Sequence, residues 1–228
     1  MEIALSICRF DPEKDSGPFF QEYKVTVKST QTVLDALMLA WQQDPSLSFR
    51  RSCRSAICGS CAMRINSRPA LACQTLIAKA TEDGETIVLE PLPHFRQLKD
   101  LVVDFDPFFE SLKSAVPWIV LRNDYDGCMA PDIARELEDP ATCILCGICR
   151  AECDDAGDIK PAGLIKTLRF ARDPRDALGE HRLRLLEVPL EILRLFIRNL
   201  PEMCPKGITM REDVAGDVPD RDKGTKPA

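Results

Sequence analysis

Cysteine is the residue type with the most chemistry to offer here, and it is grouped. The chain has 228 residues and eleven cysteines. Cys53, Cys58 and Cys61 stand at C-x4-C-x2-C, and Cys73 follows twelve residues later. Two irons bridged by two sulfides need four thiolates, two per iron, and this spacing is the ligand pattern of a [2Fe–2S] loop. A tight loop supplies three thiolates and a nearby strand the fourth. Gly59 lets the backbone close in on the sulfides, where a side chain would collide and amide N–H groups are wanted. The competing chemistry is a structural zinc site, although zinc usually takes paired C-x2-C knuckles.

A second group follows. Cys143, Cys146, Cys149 and Cys153 read C-x2-C-x2-C-x3-C. In such a run three cysteines hold one cubane, and the fourth ligates a different cluster where there are two. The cubane's remaining ligand then comes from a distant Cys-Pro, and Cys204-Pro205 fits. A proline there ends the preceding helix, so that the thiolate can face the metal. Zinc is again the alternative.

The rest of the composition narrows the field. Apolar residues make up 45% of the chain, enough for two small domains or one large one. Net charge is −6, which argues against nucleic acid as a partner. Met1 leads directly into Ile3, Leu5 and Ile7 with no basic n-region, so no signal peptide is expected and the cysteines should be reduced and metal-binding. No stretch is long and apolar enough to suggest a membrane span. No nucleophile–base pair, P-loop or dinucleotide fingerprint is present, so no substrate-converting site is expected in this chain.

These sites need elements to position them. Glu2 to Phe10 and Tyr23 to Val27 alternate apolar and polar, which predicts a hairpin across the turn Pro12 to Pro18. Thr32 with Asp35 predicts a capped helix carrying Leu34, Leu37, Met38 and Trp41, ended by Asp44-Pro45. Strands are expected at Met63 to Ile65, around Cys73, and at Ile87 to Glu90. Strands around one helix, with the cysteine loop on the rim, give a β-grasp domain over 1–100. The second half is helical in pattern, at Leu98 to Leu112 broken by Pro107, at Ala162 to Ala171, and at Leu183 to Leu200 interrupted by Pro189. The fold class is therefore α+β: a β-grasp, plant-type ferredoxin-like domain, a helical bacterial-ferredoxin-like domain over 101–210, and a charged tail over 211–228.

The chain resembles the iron–sulfur subunit of succinate dehydrogenase and fumarate reductase, up to about residue 210. The resemblance rests on 44–54 (Asp-Pro-Ser-Leu-Ser-Phe-Arg-Arg-Ser-Cys-Arg), on Cys58-Gly-Ser-Cys61, Leu71-Ala-Cys73 and Glu90-Pro-Leu-Pro. It rests also on 99–104 (Lys-Asp-Leu-Val-Val-Asp), Cys143-Ile-Leu-Cys146, Pro161-Ala-Gly-Leu164 and Cys204-Pro-Lys-Gly207. It implies a [2Fe–2S] cluster on Cys53, Cys58, Cys61 and Cys73, and a [4Fe–4S] cluster on Cys143, Cys146, Cys149 and Cys204. It implies an FAD-containing flavoprotein partner where succinate and fumarate interconvert, and a quinone-binding membrane anchor or another acceptor. It also implies a peripheral position on the cytoplasmic face of the inner membrane, held through those partners. The family usually carries a third cluster, [3Fe–4S], on the last cysteine of the run and two more in C-x5-C-x3-C-P. Cys153 is present, but Arg194 and Leu200 stand at the other two positions, and Leu195 replaces the usual neighbouring histidine. Two clusters are expected, with Cys153 a remnant thiol; Cys128, or less readily Cys8, is the alternative substitute ligand.

Arg50, Arg51 and Arg54 flank the first site. They either raise its potential or form a solvated rim that docks a partner's acidic face. His94 and His181, the only histidines, are expected at the surface. An electron-transfer subunit of a succinate:quinone or fumarate-reducing complex is the leading reading. The runner-up is a two-cluster relay in a related flavoprotein complex with a non-quinone acceptor. A zinc-stabilised interaction module is the third.

Overall fold

The computed structural model describes residues 1–82, 86–125, 127–153, 161–185 and 190–210. The chain forms two compact units: Met1–Asp106 with Ile144–Asp154, and Pro107–Cys143 with Asp155–Ala228. The first unit therefore ends at Asp106 rather than near residue 100, and it takes in the middle of the second cysteine run. Ile148 and Ala151 explain this, because both are buried in the first unit's core. The expected tail 211–228 lies outside the described residues.

In the first unit the predicted hairpin forms as β1 (Glu2–Arg9) and β2 (Phe19–Thr26). Its alternation puts Ile3, Leu5, Ile7, Tyr23 and Val25 on the buried face. Helix α1 (Val33–Gln43) starts at the expected capping box, with the Asp35 amide on Thr32 Oγ1 at 3.2 Å and the Thr32 amide on the Asp35 carboxylate at 2.9 Å. Val33, Leu34, Ala36, Leu37 and Ala40 face the core. Then come β3 (Ala62–Ile65), β4 (Arg68–Leu71), the single turn α2 (Ile77–Ala80) and β5 (Thr86–Glu90). The five strands form one mixed sheet in the order β2-β1-β5-β3-β4, with β1 and β5 parallel. Asn66 and Ser67 turn the β3–β4 hairpin with φ of 45° and 68°, the positive values a two-residue turn requires. Pro69 lies within β4, at the sheet edge where a missing N–H is tolerated. Cys73 is not on a strand, as expected from the sequence, but two residues beyond β4.

The expected helix over Leu98 to Leu112 is two elements. Gln97–Lys99 (β6) and Val102–Val103 (β7) form a small hairpin through Asp100, and α3 (Asp106–Lys113) starts just before Pro107. Proline in a first turn loses no helix bond, so it opens this helix instead of breaking one. The second unit adds α4 (Pro131–Ala141), which the sequence reading did not foresee. It also contains α6 (Pro161–Ala171), a 3-10 turn at Gly179–Leu185, and α7 (Leu190–Met203); α5 (Ile148–Glu152) belongs to the first unit. The expected interruption at Pro189 lies outside the described residues. Arg182 is fully buried, binds the Asp176 carboxylate at 2.7 and 2.9 Å, and donates to the carbonyls of Val116 and Trp118 at 2.6 and 2.8 Å. It joins residues more than sixty positions apart.

Arg9 plays the same part in the first unit. Its guanidinium donates to Asp100 at 2.9 Å, Asp44 at 2.7 Å, Gln21 at 2.7 Å and Ser46 at 2.9 Å, and to the Tyr23 hydroxyl. Asp100 in turn accepts the amides of Phe10 (3.0 Å) and Ser48 (2.7 Å). The end of β1, the C-terminus of α1 and the lead-in to the cysteine loop are thus fixed to one charge pair. Arg9→Met strands the buried Asp100 carboxylate, and a loss of about 3 kcal/mol is expected in denaturant unfolding. Hydrogen bonds from Ser46, opposed by burial and aided by Arg9 and Tyr23, hold the Asp44 carboxyl well below the usual carboxylate range. Its folded pKa lies below the unfolded value of about 3.9, so its contribution is present at neutral pH and is lost as pH falls below that value. Asp44→Asn should flatten the acid limb of a thermal-midpoint-versus-pH profile.

Candidate metal centre

The first four cysteines come together, and their arrangement follows from local backbone geometry. Arg54, Ala56 and Gly59 have φ of 57°, 53° and 69°. Alternating left-handed residues curl the chain so that successive amides point inward, as in an anion-binding nest. The amides of Ser55, Ile57 and Cys58 point at the Cys53 sulfur at 3.3, 3.4 and 3.2 Å. The Ala56 amide points at the Cys73 sulfur at 3.3 Å, and the Cys53 amide at the Cys58 sulfur at 3.5 Å. The Ser60 hydroxyl lies 3.1 Å from the Cys58 sulfur.

Cys73 is delivered by α1. The first amides of that helix, Val33 and Leu34, have no partners within it and donate to the carbonyls of Thr75 and Ala72, both at 2.9 Å. The Ala72 amide donates to the Cys61 carbonyl at 3.1 Å. The turn bearing Cys73 is thereby held between the helix start and Cys61.

The thiols form two pairs. Cys53 and Cys58 exchange amide–sulfur contacts, and Cys61 is hydrogen-bonded to Cys73. Burial pushes Cys61 up to about 12. Burial acts the same way on Cys58, but hydrogen bonds from Ser60 and Cys53 outweigh it and bring that thiol down to about 6. Among the described residues no group of three or more His, Cys, Asp or Glu is placed to hold a single metal ion. Two thiol pairs wrapped by amides suit a binuclear, sulfide-bridged group better than one tetrahedral zinc.

The second run divides between the units. In the first, Leu145 and Gly147 have φ of 54° and 79° and turn the chain into α5, whose first turn carries Cys149. Cys146 packs against the first loop: a Cβ on Gly59 would meet the Cys146 Cβ at 2.7 Å and its Cα at 2.9 Å. A Cβ on Gly147 would meet the Phe95 ring at 3.0 Å and the Phe105 ring at 3.1 Å. Cys153 follows α5 directly and is half-buried. In the second unit Cys143 is half-buried, and Cys204 caps α7 with its amide on the Leu200 carbonyl at 2.9 Å; Pro205 follows as the helix stops.

Of the three positions at which the resemblance places third-cluster thiolates, only Cys153 carries one; Arg194 and Leu200 hold the other two. Leu200 is fully buried beside Leu193, Phe196 and Ile197 on one face of α7, whereas Arg194 and Leu195 are exposed. An apolar side chain in the core and a cation in solvent do not fit a [3Fe–4S] group. Cys8, the poorer substitute, is buried in the sheet with Gln97 Nε2 at 3.7 Å from its sulfur, and burial raises its thiol. Cys128 is exposed, and its carbonyl accepts from the Tyr125 hydroxyl. His94 and His181 are exposed.

The flanking arginines are exposed too. Arg50 lies over the Phe105 ring at 5.5 Å, and Arg51 over Trp41 and Phe49, both at 5.3 Å. Their charges are solvent-screened, which favours the rim over the tuning role. Sequence reasoning missed Ser60 and the amide donors Ser55, Ala56 and Ile57. A hydroxyl two residues after a cysteine was a usable signal, but backbone amides leave none.

Gly59→Ala forces a left-handed alanine, costing about 1 kcal/mol, and a clash with Cys146 backbone. Reduced iron and sulfide content per purified chain, with a weaker visible spectrum than wild type, is the expected result.

Residues 4–110 match the model of the 2Fe-2S iron-sulfur cluster binding domain. Over the whole chain, the mitochondrial succinate dehydrogenase [ubiquinone] iron-sulfur subunit of Dictyostelium discoideum is 34% identical, covering 93% of this chain and 80% of its own length. The succinate dehydrogenase iron-sulfur subunit of Coxiella burnetii is 32% identical, covering 90% and 91%. A chain of the Mycobacterium smegmatis Sdh1 complex in the apo form shares the fold, with a TM-score of 0.75 over 95% of this chain and 92% of that one at 23% identity. With its paired thiols and its cysteine run, this chain belongs to the family of succinate dehydrogenase iron–sulfur subunits.

Proposed function

We propose that this chain is the electron-transfer subunit of a succinate:quinone oxidoreductase, relaying electrons between an FAD-containing flavoprotein subunit and the membrane or quinone side. The observation that carries it is the amide-lined nest presenting two thiol pairs, followed in the chain by the run Cys143 to Cys153 and the distant Cys204-Pro205. The first unit reads as a β-grasp, plant-type ferredoxin-like domain, since its mixed sheet packs on one capped helix with the loop leaving the α1 end. The helical remainder reads as the bacterial-ferredoxin-like domain. Cys53, Cys58, Cys61 and Cys73 would hold a [2Fe–2S] cluster, and Cys143, Cys146, Cys149 and Cys204 would hold a [4Fe–4S] cluster. When bound, these groups supply one-electron carriers. The chain's own residues position the thiols and direct amides at them, on a core that includes Met63, Leu71 and Ile148. Among the described residues no helix is long and apolar enough to cross a membrane, so membrane attachment at the cytoplasmic face of an inner membrane falls to partner subunits.

A second reading is favoured by one observation. Leu200 and Arg194 leave two of the three third-cluster positions without a thiolate, which suits an atypical or non-quinone acceptor. Iron analysis of the purified holo-chain should return about six irons, with no oxidised-state [3Fe–4S] EPR signal. About nine irons would show a third cluster. Succinate-driven cluster reduction in the co-purified flavoprotein complex is expected; a colourless, zinc-replete chain would overturn the relay itself.

A further inference from the structure

The second cluster's surroundings contain charge that the relay has not yet used. Helix α6 is buried along most of its length, with Pro161 to Ile165, Thr167, Leu168 and Phe170 inside. Lys166 breaks that run. Its Nζ is directed at the Cys143 carbonyl oxygen, 3.5 Å away in a half-buried setting, and among the described residues at no carboxylate. A lysine placed on a buried helix for one long hydrogen bond is poorly compensated for its desolvation. A negative group close to Cys143 would supply the compensation. Arg150, next to Cys149 on α5, repeats the pattern in the other unit: its Nη1 is buried with no hydrogen-bond partner. Each cation thus adjoins a proposed cubane ligand within its own unit.

A cubane on four thiolates is net negative, and more so once it accepts an electron. A cation held nearby stabilises the reduced form more than the oxidised form, which raises the midpoint potential. Partial burial makes this effect larger than that of the exposed Arg50 and Arg51, whose fields water and salt screen. Resting on the two-cluster reading above, we propose that Lys166 holds up the potential of the [4Fe–4S] group. In a chain that lacks two of the three third-cluster thiolates that group would end the relay, and Lys166 would make it a sink for electrons rather than a barrier.

The test is a redox titration of the full holo-chain, read by EPR at both clusters, for wild type, Lys166→Met and Lys166→Arg. In K166M the [4Fe–4S] midpoint falls, the [2Fe–2S] midpoint stays in place, and iron and sulfide content are unchanged; K166R stays near wild type. An unmoved midpoint in loaded K166M, or an equal shift at both clusters, overturns the proposal. If K166M loses the cubane, Lys166→Gln decides, because it keeps a donor for the Cys143 carbonyl without the charge. A lowered midpoint in K166Q upholds the proposal; a wild-type midpoint, or no cubane, overturns it. A wild-type chain without a [4Fe–4S] signal would defeat the two-cluster reading itself, whatever Lys166 does.

Discussion

Three thiols within nine residues cannot face one point unless the backbone between them leaves the right-handed half of conformational space. That constraint governs the first unit. Arg54 and Ala56 accept left-handed φ despite their side chains, a strain of about 1 kcal/mol or more each. The surrounding structure has to hold them there. α1 does so from one side, clamping the Cys73 turn with its free first amides. The Arg9–Asp100 network does so from the other, fixing the chain from Asp44 to Ser48 just before it enters the loop. The sheet, the helix and the buried ion pair are in this sense supports for a short curled segment that would not persist alone.

The same loop receives the second cysteine run. Gly59 lacks a side chain where Cys146 backbone approaches, and Gly147 lacks one where the Phe95 and Phe105 rings stack at 4.9 Å. Ile148 then fills the first unit's core. Substituents missing at two glycines, with Ile148 and Ala151 buried, seat 144–151 on a domain from which residues 107–143 separate it in sequence. Charge is arranged on a different principle. The arginines beside the first loop stack on aromatic rings at the surface, where their fields are screened. Lys166 and Arg150, near the run, are partly buried, where a charge is less screened.

α7 is organised by packing alone. Leu193, Phe196, Ile197 and Leu200 recur at helical spacing and are all buried. Leu200 sits where the family usually places a thiolate, and its burial in this apolar face contributes folding energy that a ligand position would not. Arg194 is on the opposite, solvated face.

Much of this was legible in the sequence, because ligand spacing, capping and alternation are local. Cysteine spacing named the two groups, Thr32 and Asp35 marked the start of α1, and strict alternation marked β1. Where local signals competed, reading failed. Leu98 to Leu112 has helical periodicity, but Asp100 is drawn into the Arg9 network and turns the segment into a hairpin. Cys73 looked like a strand residue until the α1 amides claimed its neighbours as a turn. α4 has no side-chain N-cap hydrogen bond and contains Pro140, so it gave no clear signal. The sequence by itself determined how the cysteines are grouped and to which family the chain belongs, since cysteine number and spacing are properties of the chain. Only the tertiary structure decided how the thiols pair, that Gly59 meets Cys146, and that Lys166 reaches Cys143. Each of those is a contact between residues distant along the chain, and packing energy selects it rather than any local preference.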